Sequence, residues 1–253
     1  MTITLRDTPI LADTTTERLL RLARALPPAR AVQMSLGGRQ YWVKCREDIK
    51  ALRLRLLKGD AGRSFDREVA MLVAFNELGL PVPRIAAQSS DFVVLTDHGE
   101  DLTRVLKRPR VDPCAIMEDV GAALARLHAR GAAHGRPCLR DICWSKGEVV
   151  FLDLEFGARV QAGPARQARD LLVLVHSLLS TRMGSERSAE AVLRGYIAQD
   201  RRCVIARVKR AAPLVRLAAL AAAPVRWRHR QRGKTHSEFL ALPRLHNVIE
   251  RCR

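Results

Sequence analysis

The chain has 253 residues, 47% of them hydrophobic, and a formal net charge of +18. That length and apolar content supply one large domain or two lobes with real cores, which excludes a mostly disordered chain. The longest apolar stretch, Leu171 to Thr181, is too short to span a bilayer, and the N-terminal MTITLRDTPI lacks the basic-then-apolar pattern of a signal peptide.

Along the chain, Thr14–Thr16 offer an N-cap for a helix through RLLRLARAL, which Pro27-Pro28 stops. Residues 31–36 and 39–45 read as two strands joined by Gly37-Gly38, a pair able to supply the positive φ values of a tight hairpin. Lys44 lies near the end of the second strand. From Phe65 the apolar residues fall three or four apart, Val69, Leu72 and Val73 among them, which predicts a helix ending at Gly79. Pro81 and Pro83 then enforce an extended entry into another strand, and FVVLTD at 92–97 reads as a buried one.

The polar run HGEDLTRVLKRPR follows as a connector. Asp112-Pro113 caps and starts a helix whose apolar face is Ile116, Val120, Leu124 and Leu127. A loop at 134–141 and a hairpin, ICW-SKGE-VVFLDLE, come next, and the remaining hundred residues are chiefly helical. The predicted organisation is a β-rich N-terminal lobe at 1–97, a connector at 98–111 and a helical C-terminal lobe at 112–253. The six cysteines form no C-x-x-C pair and read as reduced thiols of a cytoplasmic protein.

Charge is unevenly spread. Residues 201–253 carry fourteen Lys/Arg against two acids, a field that attracts phosphates on nucleic acid, anionic lipid or lipopolysaccharide. An arginine-biased genome is the alternative source, since 37 of the 44 basic residues are arginine, though it explains the clustering less well. Residues 203–232 mix apolar and arginine positions at helical spacing, with Trp227 inside the basic cluster. That pattern suits either an anionic membrane surface or the ordinary surface of a helical lobe. Nucleic acid fits the charge but not the composition, because aromatics make up only 4% of the chain and stacking platforms are scarce.

Five motifs occur in a recognisable order: VK at 43–44, RE at 67–68, LGLPVPRI at 78–85, LHARGAAHG at 127–135 and FLDLE at 151–155. From Val32 to Asp170 the chain resembles the protein-kinase-like phosphotransferases, especially the atypical bacterial branch containing lipopolysaccharide-core kinases and aminoglycoside phosphotransferases. The resemblance implies an α+β, two-lobed fold with ATP and Mg²⁺ as cofactors. It places Lys44 on the nucleotide phosphates, paired with Glu68 at the opening of the next helix, and Asp153 on magnesium. Read without it, Lys44 is a strand lysine facing water and Asp153 a turn-forming residue. Asp170 matches a family aspartate that braces the catalytic loop, and His128 and His134 read as packing or loop-bracing residues.

The catalytic loop departs from the family pattern, H-x-D-x-x-x-x-N. Here it reads His134-Gly135-Arg136-Pro137-Cys138-Leu139-Arg140-Asp141. Arg136 stands at the base position, where it cannot accept a proton, and Asp141 stands where the metal-binding asparagine belongs. Three readings follow: the base is dispensable; Asp141 orients the acceptor hydroxyl while Arg136 or Arg140 binds a phosphate; or the protein is a pseudokinase that binds nucleotide and partners without turnover. The resemblance points to a cell-envelope hydroxyl as acceptor, above all a lipopolysaccharide-core sugar, for a protein cytoplasmic or peripheral at the inner membrane.

Overall fold

The computed structural model describes residues 2–3, 14–27, 29, 31–46 and 61–252. The chain divides into two compact units, Met1–His98 and Gly99–Arg253. The first is built on a five-stranded sheet of β1 (Thr2–Ile3), β2 (Ala31–Leu36), β3 (Arg39–Cys45), β4 (Ile85–Gln88) and β5 (Phe92–Thr96), in the order β1-β2-β3-β5-β4. Only β1 pairs parallel; the other neighbours are antiparallel. Gly37 and Gly38 take φ of 57° and 75° between β2 and β3, the turn anticipated from the sequence.

Alternation along the strands sends Val32, Met34 and Leu36 of β2, and Tyr41 and Val43 of β3, into the core. Helix α1 (Thr15–Arg24) covers that face with Leu19 and Ala23. Its start is fixed by a capping box, in which Thr14 Oγ1 accepts from Glu17 N–H and the Glu17 carboxylate accepts from Thr14 N–H. Pro28, half of the expected stop signal, lies outside the described residues. Because Tyr41 and Val43 face the core, the period of two sends Lys44 to the opposite side of the sheet.

Helix α2 (Ala61–Glu77) begins four residues before the expected Phe65. The apolar periodicity starts only at Phe65, and Gly62 weakens the local helix signal, so the first turn was not readable from pattern. Glu68 accordingly sits two turns inside the helix rather than at its opening.

The second unit starts with a short helix, α3 (Leu102–Val105), within the expected connector, capped where Asp101 Oδ1 accepts from Thr103 N–H at 2.8 Å. Helix α4 (Pro113–Ala129) starts as predicted, with Asp112 Oδ1 accepting from Cys114 N–H, and Ile116, Val120, Leu124 and Leu127 are all buried. The β6 (Ile142–Ser145) and β7 (Glu148–Phe151) hairpin follows. Then come α5 (Pro164–Leu179), α6 (Glu186–Ile197), α7 (Val204–Arg210), α8 (Ala212–Ala221), α9 (Ala223–Gln231) and α10 (Glu238–Arg251).

Two glycines bring α4 and α6 into backbone contact. A Cβ on Gly121 would stand 2.0 Å from Val192 O, and one on Gly195 would stand 2.0 Å from Glu118 O. No described helix is long and apolar enough to cross a membrane, and all six cysteines are free.

Candidate active site

In the first unit Lys44 lies on a central strand, opposite Ala31 of β2 and Val93 of β5. Its Nζ donates to Glu68 Oε1 on α2. The glutamate is buried while the lysine side chain keeps 24% of its surface exposed. A buried carboxylate needs such a partner, and an ammonium so held keeps an accessible face. A second pair, Arg46 with Asp66, ties the end of β3 to the same helix, and the Arg46 guanidinium lies 5.5 Å from the Phe65 ring centre. The resemblance paired Lys44 with Glu68, and the structure brings those two side chains together.

In the second unit the loop at 134–141, the hairpin and the segment after β7 form one hydrogen-bonded system. Leu152, the residue before Asp153, is held at both backbone groups. Its N–H donates to Asp141 O at 2.7 Å, and its C=O accepts from His134 Nε2 at 2.8 Å. Arg136 N–H donates to His134 Nδ1 at 3.3 Å, which puts the ring proton on Nε2. Burial holds the His134 pKa below its ordinary value, outweighing the opposing pull of Asp170. The ring is a neutral strut between loop and hairpin.

Asp170 on α5 braces the loop from beneath. Its Oδ2 accepts from His134 N–H at 2.6 Å and its Oδ1 from Gly135 N–H at 3.0 Å. His128 Nε2 lies 3.4 Å from Oδ2, and His128 Nδ1 lies 2.6 Å from the Tyr196 hydroxyl. Tyr196 is buried and its phenol pKa is driven upward, chiefly by that burial, so the hydroxyl stays protonated. A buried chain of bonds thus runs from Tyr196 through His128 and Asp170 to the loop backbone. Gln167, one turn before Asp170, donates from Nε2 to the carbonyls of His128 and Ala132.

Asp153 follows this clamp in the left-handed region, with φ 61°. That conformation is unusual for a residue other than glycine and marks a position held by its surroundings. Its Oδ1 is buried without a hydrogen-bond partner among the described residues. A carboxylate oxygen of Glu155 lies within 4.8 Å of one from Asp153, while Leu154 between them is fully buried as an anchor. An orphaned buried carboxylate oxygen is costly, and a hard cation is the ligand that relieves it. These residues therefore fit Mg²⁺. Asp141 is buried at the end of a 3-10 turn, Leu139–Asp141, with Arg140 Nε 3.5 Å from its Oδ1.

Arg136, at the base position, lays its guanidinium over the Phe156 ring, 3.8 Å from the ring centre. Its Nε is buried without a partner among the described residues. Gly135 fits only because it lacks a side chain: a Cβ would stand 2.4 Å from Phe156 O and 2.8 Å from Ala158 N, at φ +94°. Sequence reasoning missed Gly135, Phe156, Gln167 and Tyr196. The signal for Gln167 was its place three residues before Asp170, on the same helix face; the others join the site only through tertiary contact.

A β-rich unit with a strand lysine paired to a helical glutamate, and a helical unit presenting aspartates from a loop and a hairpin end, define a protein-kinase-like phosphotransferase fold. Residues 29–196 match the model of the lipopolysaccharide kinase (Kdo/WaaP) family, and the chain belongs to that family. It is 36% identical over 144 residues to an uncharacterized protein of Haemophilus influenzae, covering 56% of this chain and 59% of the relative. It is also 29% identical over 139 residues to the KEOPS complex subunit Bud32 of Pyrococcus abyssi, covering 52% and 61%. A third relative, the EKC/KEOPS complex subunit BUD32 of Encephalitozoon cuniculi, is 29% identical over 87 residues, covering 34% and 42%. The chain spans about three fifths of the length of the first two relatives and less of the third.

Proposed function

We propose that the protein is an ATP- and Mg²⁺-dependent phosphotransferase acting on a hydroxyl of a cell-envelope molecule, a lipopolysaccharide-core sugar above all. The observation that carries this reading is Asp153, held in a left-handed conformation by the double clamp on Leu152, with one carboxylate oxygen buried and unpaired. Among the described residues no group hydrogen-bonds to that oxygen; a divalent cation would occupy it.

Phosphoryl transfer needs charge neutralised and oxygens aligned more than it needs covalent help. Lys44, oriented by Glu68, supplies a cation for the nucleotide phosphates. Asp153 and Asp141 would hold the metal, which neutralises phosphate charge when bound. Arg136 cannot act as base, since a guanidinium stays protonated at any working pH. Stacked on Phe156, it is a fixed cation suited to a phosphate group of an anionic acceptor. Asp141 is then the carboxylate left to orient the acceptor hydroxyl. The supporting test is transfer of labelled phosphate from ATP to extracted lipopolysaccharide in the presence of Mg²⁺, with transfer lost in Asp153→Asn.

Arg136 also favours a second reading, a pseudokinase that binds nucleotide without turnover. Mg-ATP binding with no transfer to lipopolysaccharide or its sugar-lipid precursors supports this second reading and overturns the first.

A further inference from the structure

Helices α8 and α9 lie beyond residue 196, where the family match ends, and α8 is built inside out. Its protein-facing side is small: Ala212 and Ala219 are buried, with Ala222 just past its end and Val215 half-buried. Its opposite side carries the large residues, with Leu214 69% exposed, Leu217 62% and Leu220 60%. At 100° per residue these leucines occupy an arc centred directly across from the alanines. The hydrophobic effect acting on the folded chain alone selects the reverse arrangement, leucines in and alanines out. Helix α9 has no buried residue and exposes Trp227 at 66% beside Arg228 and Arg230.

Charge identifies the partner. From Arg201 to Ser237 there are eleven Lys/Arg and no Asp or Glu, so leucines and tryptophan are carried on a strongly basic segment. Bordering the leucines, Glu250 of α10 lies 3.9 Å from His246. A second copy of this face would meet like charge, and a nucleic acid has no use for three exposed leucines. An anionic lipid surface satisfies both features, because acyl boundaries accept leucine and tryptophan while lipid phosphates meet arginine.

We propose that α8 and α9 form a docking face for an anionic bilayer. Leu214, Leu217, Leu220 and Trp227 enter the headgroup–acyl boundary, and Arg216, Arg228, Arg230 and Arg232 contact lipid phosphates. Vesicle binding is read without nucleotide and by changes at none of the residues assigned to nucleotide or metal, so its failure and theirs are distinguishable.

The test is flotation of the full chain, without nucleotide, with phosphatidylcholine vesicles that contain or lack phosphatidylglycerol. The expected result is partitioning onto the anionic vesicles, weakened at least about tenfold by the triple change Leu214→Glu, Leu217→Glu, Leu220→Glu, with circular dichroism unchanged because those side chains are exposed. Tryptophan emission should shift to shorter wavelength on binding, and Trp227→Phe should remove that shift. Equal flotation of the triple variant overturns the proposal, as does an absence of binding to anionic vesicles. Salt-sensitive binding to RNA that matches vesicle binding and ignores the leucines also overturns it, as does self-association abolished by the triple change without vesicle binding.

Discussion

Replacing Asp170 by alanine removes the acceptor for two loop N–H groups and the partner of a buried imidazole in one step. The carboxylate is only 1% exposed, and its bonds to His134 N–H and Gly135 N–H are 2.6 and 3.0 Å long. Hydrogen bonds to a charged group contribute about 1.5–3 kcal/mol each, and buried donors left unpaired add their desolvation. Two such bonds place the loss at about 3–6 kcal/mol, a large part of the ~5–15 kcal/mol that holds a domain folded. At roughly 2–4 °C per kcal/mol for a chain of this size, the melting temperature should fall by about 6–24 °C. Asp170→Asn should lie between, since one carbonyl oxygen survives while an NH₂ is turned toward a donor. Urea unfolding gives the magnitude, and amide exchange at His134 and Gly135 shows whether the loop is the part released. A loss in Asp170→Ala below about 1 kcal/mol, with those two amides still protected, refutes the reasoning.

Gly135→Ala should break the contact with residues 156–158, since its Cβ would sit 2.4 Å from Phe156 O; the expected outcome is weakened Mg-ATP binding together with a lowered melting temperature, both read by calorimetry on the same sample. The pH dependence of stability should carry the signature of His134. Because its folded pKa is depressed below 6.5, the unfolded chain takes up this proton first as pH falls. The associated stability is complete above 6.5 and is lost on acidification toward the lower folded value. His134→Gln, which retains an N–H for Leu152 O, should flatten that part of the melting-temperature profile, and an unchanged slope counts against the assignment. Phe156→Ala should release the Arg136 guanidinium, raising KM for an anionic acceptor by severalfold while leaving the apparent affinity for ATP within about twofold.

Local chemistry made much of the fold legible. Gly37-Gly38, Thr14 and Asp112-Pro113 each act through their own backbone or side chain within a few residues, so their turns and caps appear where expected. Lys44 and Glu68 could be paired in advance because a motif order, rather than a spacing, linked them. What stayed hidden depends on contacts between distant segments. Tyr196 reaches His128 across 68 positions, and Gly135 is required by the backbone of residues 156–158. Phe156 beneath Arg136 has no linear signal at all. The periodicity of residues 203–232 announced amphipathic helices, but only packing shows that α8 turns its alanines inward and its leucines out.

The proposed metal–nucleotide site rests on Asp153, whose Oδ1 is buried without a hydrogen-bond partner among the described residues. Calorimetric titration of Mg-ATP into the wild-type chain and into Asp153→Asn, with apo melting temperatures measured alongside, tests it most directly. Binding should be lost, or weakened by at least about a hundredfold, in the variant. The apo melting temperature should stay level or rise, because a buried carboxylate oxygen without a hydrogen-bond partner among the described residues loses its share of the charge. Equal Mg-ATP affinity in the two chains, or a variant that loses binding only by losing its fold, would contradict the account.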